Sequence, residues 1–463
     1  MLAALLLAAC GGGVPAQPPT AAPTAAVLTL AAPPTGSPAA TGAPAPTAAP
    51  EPTSAPAPTA APEPTAAPTQ AAEPTSAAAP GAELLFLRRG ALVAFDLGTR
   101  AERTLADHVL DFAAAPDGRS VALVRDLGKS APEGGIDLWL VGRDGGGLRQ
   151  LTHDSSSRIE ATPAWAPDGA ALAYASSQAS DAYAHTWEQW SAWCGPSEVH
   201  VLDLAGGADR GFGPGCDPAI APDGKRIAYA TPPSARQEGS TDVRNAANAI
   251  RLINRQGQNG WSFATAAGTP DAPAAKKGLL VYAPAFSPDG QQLAYQRFLG
   301  YQALVDLAMT EIGGSFEGKG QPLSDGAGWL LPARFAPDGK SAAIVENNYG
   351  DARGFGGYDN WSVSVVRLAG RHQIALPEGE LPAVGEVAGQ LPRAQAAAWA
   401  PDGTALAVLL PPGWKPGLPP SEPVGADERP GEIWRWVPGA DPAEKLVADV
   451  DFASQVQWLA AAP

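Results

Sequence analysis

The chain has 463 residues, with 31 Lys and Arg against 47 Asp and Glu and a formal net charge of −16. That balance, with no basic run, excludes nucleic acid as a partner, because phosphate binding needs clustered Lys and Arg; the acidity reads as solubility. Residues 11–80 are almost only Ala, Pro, Thr and Gly, so only the part beyond residue 80 has the apolar groups to bury a core.

The chain begins "MLAALLLAACGGG", in which Leu2 to Ala9 is apolar throughout. A membrane span takes roughly 20 residues, so this run is too short to cross a bilayer. It fits the apolar region of an export signal. "LAAC", Leu7 to Cys10, resembles the bacterial lipoprotein cleavage box, although no Lys or Arg precedes the apolar run. The resemblance implies that residues 1–10 are a signal and that Cys10 becomes the lipidated first residue of an exported chain. Such a chain sits on the outer side of a bacterial membrane, at the cell surface or in the periplasm. Two acyl chains anchor stably, each buried methylene adding about 0.8 kcal/mol. Residues 11–80 then predict a disordered stalk that reaches at most ~200 Å, at about 3.1 Å per residue in polyproline II form.

From residue 81 to 463 one phrase returns six times. The copies are "FAAAPDGRSVALV", "PAWAPDGAALAYA", "PAIAPDGKRIAYA", "PAFSPDGQQLAY", "ARFAPDGKSAAIV" and "AAWAPDGTALAVL". Pro presets φ for the first inner position of a tight turn, Asp bonds nearby backbone, and Gly accepts the positive φ that follows. This is hairpin chemistry between two strands, a and b. Each hairpin is followed by another strand pair, c and d, as in "DLWLVGRDGGGLRQLT", "EVHVLDLAGG" and "EIWRWVPGAD". Every unit therefore predicts a four-stranded antiparallel meander. The triplets, at Pro116, Pro167, Pro222, Pro288, Pro337 and Pro401, are irregularly spaced, which places insertions in the loops.

The phrase "(W/F)-(A/S)-P-D-G-x-x-(L/I)-A-Y" followed by "DLWLV…DGGGLRQLT" resembles the TolB-type β-propeller repeat, over about residues 83–460. The resemblance implies an all-β propeller and protein–protein contact. A linker stands here in place of the accessory N-terminal domain of that family, so a role in its envelope system is not implied. Packing leads to the same fold: four-stranded sheets that need neighbours on both faces pack radially. Six triplets allow six blades. However, Glu83 to Ala106 reads as strands b, c and d without an a, and "QVQWLAAAP" reads as an a strand with nothing after it. The expectation is a seven-bladed ring, with Gln455 to Leu459 inserted in the first blade and no open sheet edge left.

Function is sought on the loops. The a–b and c–d turns share one face and are expected to be short; the b–c and d–a loops share the other and are expected to be long, with Pro377 to Gln395 placed among them. One loop holds Tyr183, Trp187, Trp190 and Trp193; the three Trp recur every third residue, so a short helix gathers them along one side, where, if exposed, they stack on a sugar or anchor a protein, the alternative being a local core. Tyr349, Phe355 and Tyr358 lie in a Gly-rich loop, and Trp414 in a Pro-rich one; all are candidate ligand-binding residues. Cys194 and Cys216 are expected to form a disulfide, which suits an exported chain; two free thiols are the alternative. The five His lack ligand spacing and no Gly-x-Ser-x-Gly turn occurs, so no catalytic residue, metal site or cofactor is predicted. The carboxylate pairs Glu160 with Asp181 and Asp351 with Asp359 read as solvated loop acids. The function read from the sequence is non-catalytic binding of a protein or cell-wall glycan through the long-loop face. The rival is a polysaccharide lyase or hydrolase with its site in the propeller.

Overall fold

The computed structural model describes residues 81–128, 135–153, 158–179, 187–235, 246–266, 280–298, 305–313, 321–322, 328–347, 357–368, 386–418, 429–452 and 454–461. The chain divides into two units, Met1–Pro74 and Thr75–Pro463. The first, with Cys10 and most of the expected stalk, lies outside the described residues.

The second unit is built from antiparallel meanders of four strands, in the order a, b, c, d from inside out. Among the described residues the strands group into seven such meanders, the second and third being joined into one eight-stranded sheet by a parallel pairing of Ile136 with Ile159. Meander one takes b, c and d from Glu83–Arg88, Ala91–Asp96 and Glu102–Ala106, and its a strand from Gln457–Leu459 at the far end of the chain. Glu83, Leu84 and Leu85 pair with Leu459, Trp458 and Gln457, so the two ends of this unit share one sheet. The inner strands of meanders two to seven are Val109–Ala114, Ile159–Trp165, Cys216–Ile220, Leu280–Phe286, the divided pair Trp329–Leu330 and Arg334–Phe335, and Ala396–Trp399.

The six Pro-Asp-Gly turns repeat one hydrogen-bond pattern. In the first, Gly118 N–H donates to the Ala115 carbonyl, Ala115 N–H donates to Ser120, and Arg119 N–H donates to Asp117 Oδ1. Each turn glycine has a positive φ, between 64° and 71°, which a side chain would resist. Successive turns also touch. A Cβ on Gly224, Gly290, Gly339 or Gly403 would meet the proline ring of the preceding turn at 3.3–3.7 Å.

Contacts between successive meanders close a circle. Arg143 of meander two reaches Glu83 of meander one at 2.7 Å, and Trp165 Nε1 of three donates to the Ala113 carbonyl of two at 2.8 Å. Arg255 of four pairs with Asp168 of three at 2.9 Å. The Asn248 side chain of four bonds the Val281 backbone of five in both directions. Tyr282 of five stacks on Trp329 of six, Trp399 Nε1 of seven donates to the Arg334 carbonyl of six, and Asp451 N–H beyond seven donates to Leu87 of one. Strands in such a ring are covered on both faces: Leu84, Leu85 and Phe86 are consecutive and all fully buried. Burying each such side chain contributes roughly 1.5–3 kcal/mol.

Antiparallel alternation puts the b–c and d–a connections on one face and the a–b and c–d connections on the other. One expected loop falls on the wrong side. Glu386–Pro392, inside the stretch Pro377 to Gln395, is strand d of meander six. The connection leading into it leaves strand c at Arg367, opposite Ser341, which is the Pro-Asp-Gly end. Pro and Gly disguised this strand. As an outermost strand it tolerates Pro392, and Gly389 is needed because a Cβ there would come within 2.6 Å of Gly439 N in meander seven.

Candidate functional site

Helix α1 (Trp187–Cys194) lies in the b–c connection of meander three. Three residues on a helix turn the side chain by about 300°, so a Trp every third position drifts slowly round one side. That side faces inward. Trp190 and Trp193 are 3% and 1% exposed, which corrects the expectation of a solvent-facing aromatic row. Trp190 Nε1 donates to Asp217 Oδ2 at 2.8 Å, and its ring meets Tyr282 at 5.3 Å. Tyr282 in turn stacks on Trp329 at 4.7 Å and 14°. The helix end is tied down by the Cys194–Cys216 disulfide, and the Ser177 hydroxyl donates to the Trp193 carbonyl. The apolar area of these rings outweighs any surface role. Trp187 belongs to α1, but its side chain, like Tyr183, is outside what is described.

Two further aromatic candidates, Tyr358 and Trp414, are buried too. Tyr358 is buried, donates from Oη to the Arg429 carbonyl at 3.2 Å, and meets Phe452 edge-on at 5.0 Å; burial holds its phenol well above the usual range. Trp414 is buried edge-on against Trp434 at 5.1 Å. Tyr349 and Phe355 lie outside the described residues. Of the expected pairs, Glu160 does not behave as a solvated loop acid, whereas Asp359 is an exposed acid of the turn Tyr358–Asn360. Glu160 is buried on an inner strand and accepts from the Ser176 hydroxyl at 2.6 Å. Asp359 pairs with Arg393 at 2.9 Å. Asp181 and Asp351 are not described.

A different set of polar groups gathers at the centre of the ring. Counting back from each turn proline, position −3 of the inner strand is Ala113, Ala164, Ala219, Ala285 and Ala398 in five copies but Arg334 in meander six. Gln457 is the equivalent in the closing strand, and position −5 supplies Asp111, Asp217 and Gln455. Arg334 Nη2 donates to Gln455 Oε1 at 3.1 Å. Gln455 Nε2 donates to Asp111 Oδ1 and to the Phe112 carbonyl. Gln457 accepts from Ala114 N–H at 2.8 Å and donates to the Phe112 carbonyl at 3.1 Å. A polar chain thus runs from meander six through the closing strand to meander two.

Burial dominates the electrostatics of this chain of groups. It pushes the Asp111 carboxyl up from 3.8 to about 6, against the Phe112 N–H bond, the Arg334 charge and the Gln455 amide. Burial lowers the Arg334 guanidinium, with Asp111 pulling the other way. The Asp217 carboxyl is likewise raised by burial, opposed by the bonds from Trp190 and Ala283. Hydrophobic periodicity gave no hint of these residues. The signal lay in comparing the six copies column by column, where "ARFAPDG" alone puts a charge among alanines.

Among the described residues no group of three or more His, Cys, Asp and Glu is placed to hold a metal ion. No described helix is long and apolar enough to cross a membrane.

No protein-family model matches the chain, and no curated protein matches it. Among solved structures, TolB from Acinetobacter baumannii is similar at 14% identity and a TM-score of 0.41, over 80% of this chain and 78% of that one. An oligogalacturonate lyase in complex with manganese is similar at 16% identity and a TM-score of 0.44, over 69% and 79%. The β-propeller domain of Cps50 (Swd1) from Myceliophteria thermophila is similar at 12% identity and a TM-score of 0.42, over 73% and 86%. With its repeated Pro-Asp-Gly hairpins and its circle of four-stranded meanders, the chain folds as a β-propeller.

Proposed function

We propose that this chain is a lipid-anchored, exported binding or scaffold protein. It engages a protein or a cell-wall glycan, without catalysis, through the face that carries the b–c and d–a connections. One observation carries the reading: a connection on that face, α1, is fixed to the ring by a disulfide and by the Trp190–Tyr282–Trp329 stack. A connection held this firmly is a preorganised surface, which lowers the ordering cost of binding. Counting each meander as one blade gives a seven-bladed platform beneath it. Export is supported by the signal-like start with its Cys10 box and by the disulfide. Passing the chain over an immobilised glycan panel, with product analysis, tests the reading. Retention without new products is the expected result for a glycan partner; new products exclude a non-catalytic role.

One observation favours the rival enzyme. A carboxyl pushed up to about 6 can give or take a proton near neutral pH, and Asp111 is such a group, with the Gln455 amide between it and the Arg334 guanidinium. If the panel yields products, Asp111→Asn is expected to abolish them.

A further inference from the structure

Arg334 is the outlier of its column. It is half-buried at a position that four of the other five copies leave as a half-buried alanine. Its one hydrogen bond among the described residues runs from Nη2 to Gln455 Oε1, which leaves most of its five N–H donors unused. Among the described residues it makes no direct ion pair, and the Gln455 amide stands between it and Asp111. A half-buried guanidinium without a carboxylate against it bears a desolvation cost that a ligand anion can offset. The guanidinium fork matches a carboxylate in two parallel bonds. The rest of the column carries only the small side chain of alanine, while the Gln455 and Gln457 amides are engaged with Arg334, Asp111, Phe112 and Ala114, so the guanidinium is the group with free donors toward a ligand.

We propose that Arg334 is the recognition residue of a small-ligand site at the centre of the ring, taking the carboxylate of a small organic acid or of an acidic sugar. This goes beyond the binding face proposed above and does not depend on it. If the glycan panel retains nothing and a small carboxylate binds at Arg334, the glycan form of the face reading fails and this one stands; the reverse result separates them equally.

The test is calorimetric titration of the full chain at constant ionic strength with sodium glucuronate, sodium acetate, glucose and inorganic phosphate. Binding of glucuronate alone identifies an acidic sugar; binding of acetate and glucuronate alike identifies the carboxylate as sufficient. Glucose is expected not to bind, and Arg334→Ala is expected to weaken the carboxylate at least about tenfold. The inference is overturned if neither carboxylate binds, if phosphate binds as tightly as either, or if Arg334→Ala binds like the parent. Should Arg334→Ala fail to fold, Arg334→Lys keeps the charge and loses the planar fork. A several-fold loss is then expected, and unchanged affinity overturns the assignment.

Discussion

Deleting residues 455–463 removes the strand that joins the two ends of the ring. The loss can be built from the structure. Val456 is 1% exposed within the core of meanders one and seven, and its burial contributes roughly 1.5–3 kcal/mol, with a similar amount from the buried part of Trp458. Gln457 makes two side-chain bonds to the backbone of meander two, each about 1 kcal/mol net. The backbone pairing of Glu83 to Leu85 with Gln457 to Leu459 is lost as well. The total is about 5–8 kcal/mol, which matches the whole stability of an ordinary domain, about 5–15 kcal/mol. The bare edge of Glu83–Arg88 then becomes a template for association. Guanidinium titration followed by Trp fluorescence measures the loss, and light scattering measures the association. A truncated chain whose midpoint and slope equal those of the full chain would mean that the ends do not close the ring, and the circular arrangement would have to be abandoned.

Two further outcomes are expected. Reducing the Cys194–Cys216 bridge, which spans 22 residues, is expected to cost about 3 kcal/mol in the chain-entropy model and to loosen α1, so that Trp fluorescence shifts red before global unfolding; a melt unaffected by reductant contradicts this. Asp111 gives a pH signature. Its folded pKa of about 6 lies above the unfolded 3.8, so between pH 4 and 6 the folded state holds more protons, and stability falls as pH rises through that window. The drop is at most about 3 kcal/mol, less to the extent that solvent reaches the half-buried group. Asp111→Asn keeps an oxygen for Phe112 and Gln455 and should flatten this slope; parallel profiles for the two proteins refute it.

The hairpins were legible because each rests on local chemistry. A proline, a carboxylate and a glycine fix the turn whatever lies around them, and the six glycine φ values agree within 7°. The closing strand was legible for a related reason: Trp458 fills the column that Trp165 and Trp399 fill elsewhere. What failed depended on tertiary surroundings. Glu386–Pro392 carries too few large apolar groups to read as a strand, because an outermost strand with one neighbour needs few. Trp190 and Trp193 read as a docking surface because sequence spacing gives the side of a helix on which rings gather, not what that side meets. Arg334 escaped because its charge sits in a strand whose other features are ordinary.

The −5 column explains why polar groups collect in the centre at all. In meanders two to five the inner strand bulges around this position, and Thr162, Asp217 and Ala283 there have φ of 55°, 51° and 47°. In meanders three to five the bulge leaves position −5 without a ladder partner and re-aims its side chain, so Asp217 needs no place in the ladder; in meander two the unpaired residue is Leu110, and Asp111 still pairs with Val124. Asp tolerates the left-handed backbone better than most residues. Meander six has Pro332 in this column, and proline cannot take a positive φ. Its inner strand breaks instead into Trp329–Leu330 and Arg334–Phe335. The break falls between the Trp329 that stacks on Tyr282 and the Arg334 that reaches across meander seven to Gln455. The copy that cannot bulge is therefore the one that sends a cation into the centre, and Pro332 and Arg334 are best understood as one feature rather than two substitutions in a repeat.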